Sequence, residues 1–142
     1  EITARIEELK PLVRASFVVD TLTYLYRGGR CSGLAALAGG ALKLHPRIGV
    51  EDGKMGPGKK YRGNMEKVVL SYVKDMEEAM KNARPERVFI THSGSAPEIV
   101  DKVRAYLNDL HVFYEILETR AGGVVSSHCG PGTLGVLFIA KE

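Results

Sequence analysis

Residues 88–110, VFITHSGSAPEIVDKVRAYLNDL, decide the fold. Residues 88–91 are β-branched or aromatic, the composition of a strand. Residues 92–96 are small and polar and predict a loop. Ser95, followed three positions later by Glu98, has the form of a capping box, and Ile99, Val103, Tyr106 and Leu110 recur at helical spacing as an expected buried stripe. A strand, a short loop and an amphipathic helix in succession are the unit of an α/β layer.

Working outward, the same two periods recur. Downstream, residues 112–117 predict a strand, and a glycine-rich turn carrying Val124 and Val125 leads to His128. Residues 134–140 predict the last strand. Upstream, Asn64 is a plausible N-cap for one long helix whose stripe is Met65, Val68, Val69, Tyr72, Val73, Met76 and Met80, ended by Arg84-Pro85. Asp52-Gly53 is a hairpin signal between strands at 44–50 and 55–61. Before it, residues 34–42 form an Ala- and Gly-rich helix, residues 21–27 a helix closed by Gly28-Gly29, residues 16–19 a strand, and residues 2–9 a helix broken at Pro11. About six strands and five helices, with one tight hairpin, predict a single α/β domain: a mixed sheet of about six strands with helices packed against it.

Composition narrows the function. At 142 residues, with 44% apolar and 26% charged residues, the chain is long enough to bury roughly two-thirds of its unfolded surface. No apolar run approaches the ~20 residues of a membrane helix, and no secretory leader is seen. Glu1 without a methionine leads us to expect a fragment or trimmed product. Between 27 and 62 lie eight basic and two acidic residues, a local +6, against twelve basic and fifteen acidic elsewhere. Such an island suits an anionic ligand or an acidic partner surface; its plainer reading is a solvated basic hairpin. Nucleic acid is disfavoured, because the basic residues are not interleaved with stacking aromatics and Trp is absent. Two cysteines, Cys31 and Cys129, are expected as reduced thiols in the cytoplasm.

Five separated stretches carry a family resemblance. Residues 21–30, TLTYLYRGGR, resemble the L-x-x-L-x-x-G-G-R motif of the DegV family. Residues 40–46, GALKLHP, resemble its small-residue stretch before Lys-Pro, with His45 where the family has lysine and Arg47 where it has an aliphatic residue. Asp52-Gly53 and Lys60-Tyr-Arg-Gly63 fall at its D-G turn and K-x-R-G, and residues 127–132, SHCGPG, resemble its H-x-G-P-G signature. The resemblance covers essentially the whole chain as the carboxyl-terminal lipid-binding domain of such a protein, the amino-terminal α/β domain being absent. It implies a long-chain fatty acid held between the two domains and presented to a fatty acid kinase for acyl-phosphate formation, with no catalysis by the chain itself and no cofactor or metal. His128, with Gly130 and Gly132, would meet the carboxylate, and Arg30 and Arg62 would engage the partner and its anion.

Elementary chemistry stands beside the resemblance. A carboxylate entering an apolar cavity needs hydrogen-bond donors, and a histidine on a rigid Gly-Pro-Gly turn is well placed to supply one. Its plain alternative is a histidine capping a turn; that of Arg30 is a cap on the helix before Gly28-Gly29. The competing functional class is a small-molecule phosphoryl- or acyl-transfer enzyme using His128 as base with Arg30 and Arg62 on an anionic substrate. Residues 53–60, GKMGPGKK, miss a P-loop, since Lys60 stands where Ser or Thr should bind magnesium. His92, Cys31, His128 and Cys129 lack zinc-ligand spacing, and Ser126 and Ser127 lack a nucleophile elbow. The chain is expected to offer an apolar sheet face beside His128 but no second wall and no matched pair of hydroxyls, and to self-associate when isolated.

Overall fold

In the computed structural model, residues 1–30 and 44–142 are described; Cys31 and the helix expected over 34–42 lie outside them. Six strands, β1 (Val13–Val18), β2 (Leu44–Glu51), β3 (Lys54–Arg62), β4 (Arg87–His92), β5 (Glu115–Arg120) and β6 (Leu134–Ile139), form one sheet in the order β3-β2-β1-β6-β4-β5. Only β4 and β5 run parallel; the other neighbours are antiparallel. The helices are α1 (Ile2–Leu9), α2 (Thr23–Arg27), α3 (Met65–Asp75), α4 (Glu77–Lys81), α5 (Pro97–Asp109) and α6 (Gly123–Cys129). The mixed sheet predicted from the sequence is therefore present.

Local chemistry sets several boundaries. Asp52 and Gly53 have φ of 50° and 73°, the pair of positive values that a two-residue hairpin turn of the right twist demands. Asn64 Oδ1 accepts the Lys67 N–H at 3.0 Å and starts α3. The single long helix expected from Met65 to Met80 is two: at Met76 the N–H turns to Val73 O, a tighter i→i+3 bond that redirects the chain into α4. Ser95 is not the cap of α5. Ala96 holds that position, with Pro97 opening the helix, and Ser95 Oγ is buried without a partner among the described residues. Strand β5 begins three residues later than the expected 112, because parallel pairing with β4 sets Arg87 opposite Glu115.

Strand alternation divides the sheet into two unlike faces. Val18, Val88, Ile90, Leu134, Val136 and Phe138 pack with α3 and α5 through Val68, Tyr72, Val73, Val100, Val103 and Leu107, all nearly inaccessible to solvent. On α5 the buried residues are Val100, Val103 and Leu107; Ile99, Tyr106 and Leu110 from the expected stripe are only partly buried. Tyr72 is fully buried and its hydroxyl is wedged into the β1–β6 ladder, donating to Ser16 O at 2.8 Å and accepting the Val136 N–H at 3.1 Å. Each backbone group thus finds a partner although the two strands do not pair there.

The opposite face carries Val13, Phe17, Phe89, Leu117, Leu137 and Ile139. Phe17 is covered by a small cluster of Val19, Leu22, Leu25, Ile48 and Cys129. Away from it the face is open: Val13 is 44% and Leu117 38% exposed. Here Leu9, Val13, Phe89, Leu137 and Ile139 line a groove of about 470 Å³ with Arg84 at its side.

Candidate functional site

One end of the sheet collects the sequence motifs. Val18 and His92 both pair with Leu134, so the exit of β1, the exit of β4 and the entry of β6 lie side by side. The chain leaves β1 into α2, leaves β4 into the loop 93–96, and reaches β6 from α6.

His128 sits in the last turn of α6, not on the Gly-Pro-Gly turn expected from the sequence. Its Nδ1 donates to Val124 O at 2.8 Å, which leaves Nε2 for a further partner. The half-buried ring lies against Gly28: a Cβ there would stand 2.3 Å from His128 Cδ2. The second glycine contact is reciprocal. Gly130 has φ of 82°, and a Cβ on it would enter the Tyr24 ring at 2.3 Å. The G-G-R and H-x-G-P-G motifs, a hundred residues apart in sequence, are therefore two halves of one contact between α2 and α6, each giving a glycine to the other's aromatic ring. Gly132, with φ of 79°, approaches Asp20 in the same region.

The two arginines separate. Arg30 Nη1 donates to Gly28 O at 3.2 Å, which sets the guanidinium beside the glycine that carries the His128 ring. This is also the capping contact that a plain structural role gives it, and the side chain stays exposed. Arg62 is exposed near the end of edge strand β3, opposite Leu44. It lies at the same end of the sheet but three strands from β6, roughly 14 Å at ordinary strand spacing. It does not join His128 and Arg30.

His45 shows what its position demands. It is buried, with Nδ1 3.2 Å from Val19 O and Nε2 2.9 Å from Gly63 O, so the ring ties the exits of β1 and β3 together. Tyr61 and Lys59 tie β3 to α3 at Asp75, at 2.7 and 2.6 Å, and these two bonds hold the Asp75 carboxyl below its ordinary range. Burial pushes the Cys129 thiol up.

Two groups of hydroxyls were not foreseen. Thr91 and Thr119 meet on the open face with their Oγ1 atoms 2.7 Å apart, the matched pair that sequence reading did not find. Ser93 Oγ donates to Gly130 O at 2.5 Å. Thr91 and Thr119 align only once the parallel register of β4 and β5 is known. The Ser in the 92–96 loop read as ordinary turn composition.

His128 and Arg30 thus stand together at one end of the sheet, on the side of the α2–α6 contact. The sequence model described as "Uncharacterised protein, DegV family" matches residues 1–141, and the chain belongs to the DegV family. A DegV domain-containing protein of Deinococcus radiodurans is 32% identical over 136 residues, 96% of this chain and 48% of that protein. The structure described as fatty acid binding of a DegV family protein from Thermus thermophilus aligns at TM-score 0.81 and 28% identity, over 98% of this chain and 49% of that one. DegV of Bacillus subtilis, described as a fatty acid binding protein, aligns at TM-score 0.73 and 30% identity, over 99% and 49%. The chain thus spans about half the length of the relatives it matches. Among the described residues no helix is long and apolar enough to cross a membrane.

Proposed function

We propose that this chain is the carboxyl-terminal half of a long-chain fatty acid carrier, and that its open sheet face forms one wall of the acyl site. The observation that carries this is the placement of His128: a half-buried imidazole, with no partner at Nε2 among the described residues, beside the cluster that covers Phe17, from which the apolar face runs on to the exposed Val13 and the groove at Ile139. An acyl tail on that face gains from leaving water, while the carboxylate requires donors that an apolar face lacks and His128 supplies. The backbone around Gly130 and Gly132 shapes the turn beside it. The amino-terminal domain supplies the second wall, since a pocket ligand commonly has about 70–90% of its surface covered and one face covers far less.

Arg30, exposed at the rim, engages the anion of a fatty acid kinase that converts the bound acid to an acyl phosphate; Arg62 extends that basic surface along the sheet edge. The chain acts as a carrier and does no chemistry itself. Carrier and kinase are placed in the cytoplasm by this reading. The test is native mass spectrometry of the full-length protein purified without added lipid. A retained long acyl chain is expected, and His128→Ala should lose it while stability falls by no more than about 1–2 kcal/mol, the worth of a hydrogen bond or two. Full-length protein that arrives empty and takes up no added oleate contradicts the reading.

A further inference from the structure

The loop after β4 makes contacts that the acyl site, as described, does not need. His92 is buried, and its Nδ1 accepts the N–H groups of Gly94 and Ser95 at 3.2 and 3.1 Å. Its Nε2 therefore carries the proton and donates to Glu118 Oε1 at 2.8 Å, and Glu118 takes Arg104 of α5 on its other oxygen at 3.1 Å. Gly94, at φ of 96°, permits the sharp turn. The loop is thus held from three elements: α5, β5 and β4.

What this loop presents is Ser93. Its Oγ donates to Gly130 O at 2.5 Å and its N–H to Thr133 O at 3.0 Å, while Thr133 Oγ1 reaches back to Cys129 O at 3.0 Å. The segment from Cys129 to Thr133 is therefore pinned at both ends, directly after His128. Gly130 sits at positive φ; its N–H closes the last turn of α6 on Ser126 O at 2.8 Å, while its carbonyl oxygen is held from outside the helix. Ser93 is that hold.

We propose that Ser93 is the positioning residue for His128, aimed by the His92–Glu118–Arg104 chain and acting through the Gly130 carbonyl. It touches neither ligand nor imidazole; it fixes the end of α6 so that the His128 ring stays against Gly28 with Nε2 turned to the acyl carboxylate. The ligand part rests on the function proposed above, whereas the ring position does not, and the experiment separates them. In the full-length protein labelled at histidine and glycine, NMR reads the cross-relaxation between the His128 ring and the Gly28 α-protons. In the full-length protein, oleate affinity is measured by displacement of a fluorescent fatty acid.

Ser93→Ala is expected to weaken or abolish the His128–Gly28 contact and to lower oleate affinity about three- to tenfold, the range for one lost neutral hydrogen bond. Ser93→Thr, which keeps the hydroxyl, restores both. An alanine variant that keeps the ring contact and binds oleate within twofold of the parent overturns the proposal, as does a threonine variant that behaves like alanine. If the parent full-length protein binds no oleate, the carrier reading falls, and the ring contact alone decides the role of Ser93.

Discussion

Val88, Ile90 and Val136 are sealed beneath α3 and α5, whereas Phe89 and Leu137, one residue along the same strands, and Leu117, paired with Phe89 on β5, remain partly in solvent. The same backbone carries both sets, so the difference comes from what packs above each face. The sealed face has a central polar anchor in Tyr72, whose hydroxyl is bonded to Ser16 and to the Val136 N–H, whereas the polar pair on the open face, Thr91 and Thr119, is only partly buried. One face holds the fold; the other is left partly in solvent, and the proposed acyl site is placed there.

The comparison breaks most easily at a core leucine. Leu107→Ala on α5, nearly inaccessible in the sealed core, should cost about 2–5 kcal/mol, while Leu117→Ala on the open face should cost under about 1 kcal/mol. Urea unfolding of both variants checks this; equal costs would mean that the open face is as structural as the sealed one. Next in size is Tyr72→Phe, which leaves Ser16 O and the Val136 N–H without their partner and should cost about 1–3 kcal/mol with little change in volume. A variant as stable as the parent would show that β1 and β6 can close the gap by pairing directly.

A smaller effect lies in the acid limb. Hydrogen bonds from Lys59 and Tyr61 lower the Asp75 carboxyl, and the hydrogen bond from His92, with Arg104 nearby, lowers that of Glu118. Folded values below the unfolded ones mean that this stability is present above the ordinary carboxylate range and lost as pH falls through the folded values. Chemical unfolding followed from neutral to acid pH should show stability declining there, and Asp75→Asn should make that decline shallower. A slope unchanged by the substitution would remove Asp75 from the account.

The sealed face was the legible one. Tyr72, Val73 and Val103 fall on clean helical stripes, residues 88–91 read as a strand, and Asp52-Gly53 named its own turn. What escaped had no local signature. No Gly or Pro marks the break at Met76, where one backbone N–H bonds three residues back instead of four. Strand β5, EILETR, lies at the sheet edge and carries charges, so its composition pointed to the more apolar residues before it. At the site, His128, Gly130, Gly132 and Arg30 were legible as motif residues, and the structure brings Arg30 to His128 through Gly28 but leaves Arg62 on a distant strand. The helix carrying His128 was hidden by Gly122 and Gly123 at its start, which read as a turn. Ser93 and the Thr91–Thr119 pair depend on long-range register, which no window of sequence contains.

The central claim is that the open face is half of a site. Its most direct test compares oleate affinity of the full-length protein with that of the isolated 142-residue chain at matched concentration, with the association state followed by analytical ultracentrifugation. The account predicts tight binding by the full-length protein, and weak binding by the isolated chain together with self-association that covers its apolar face. Equal affinity in a strictly monomeric isolated chain would contradict it and place the whole acyl site within these 142 residues.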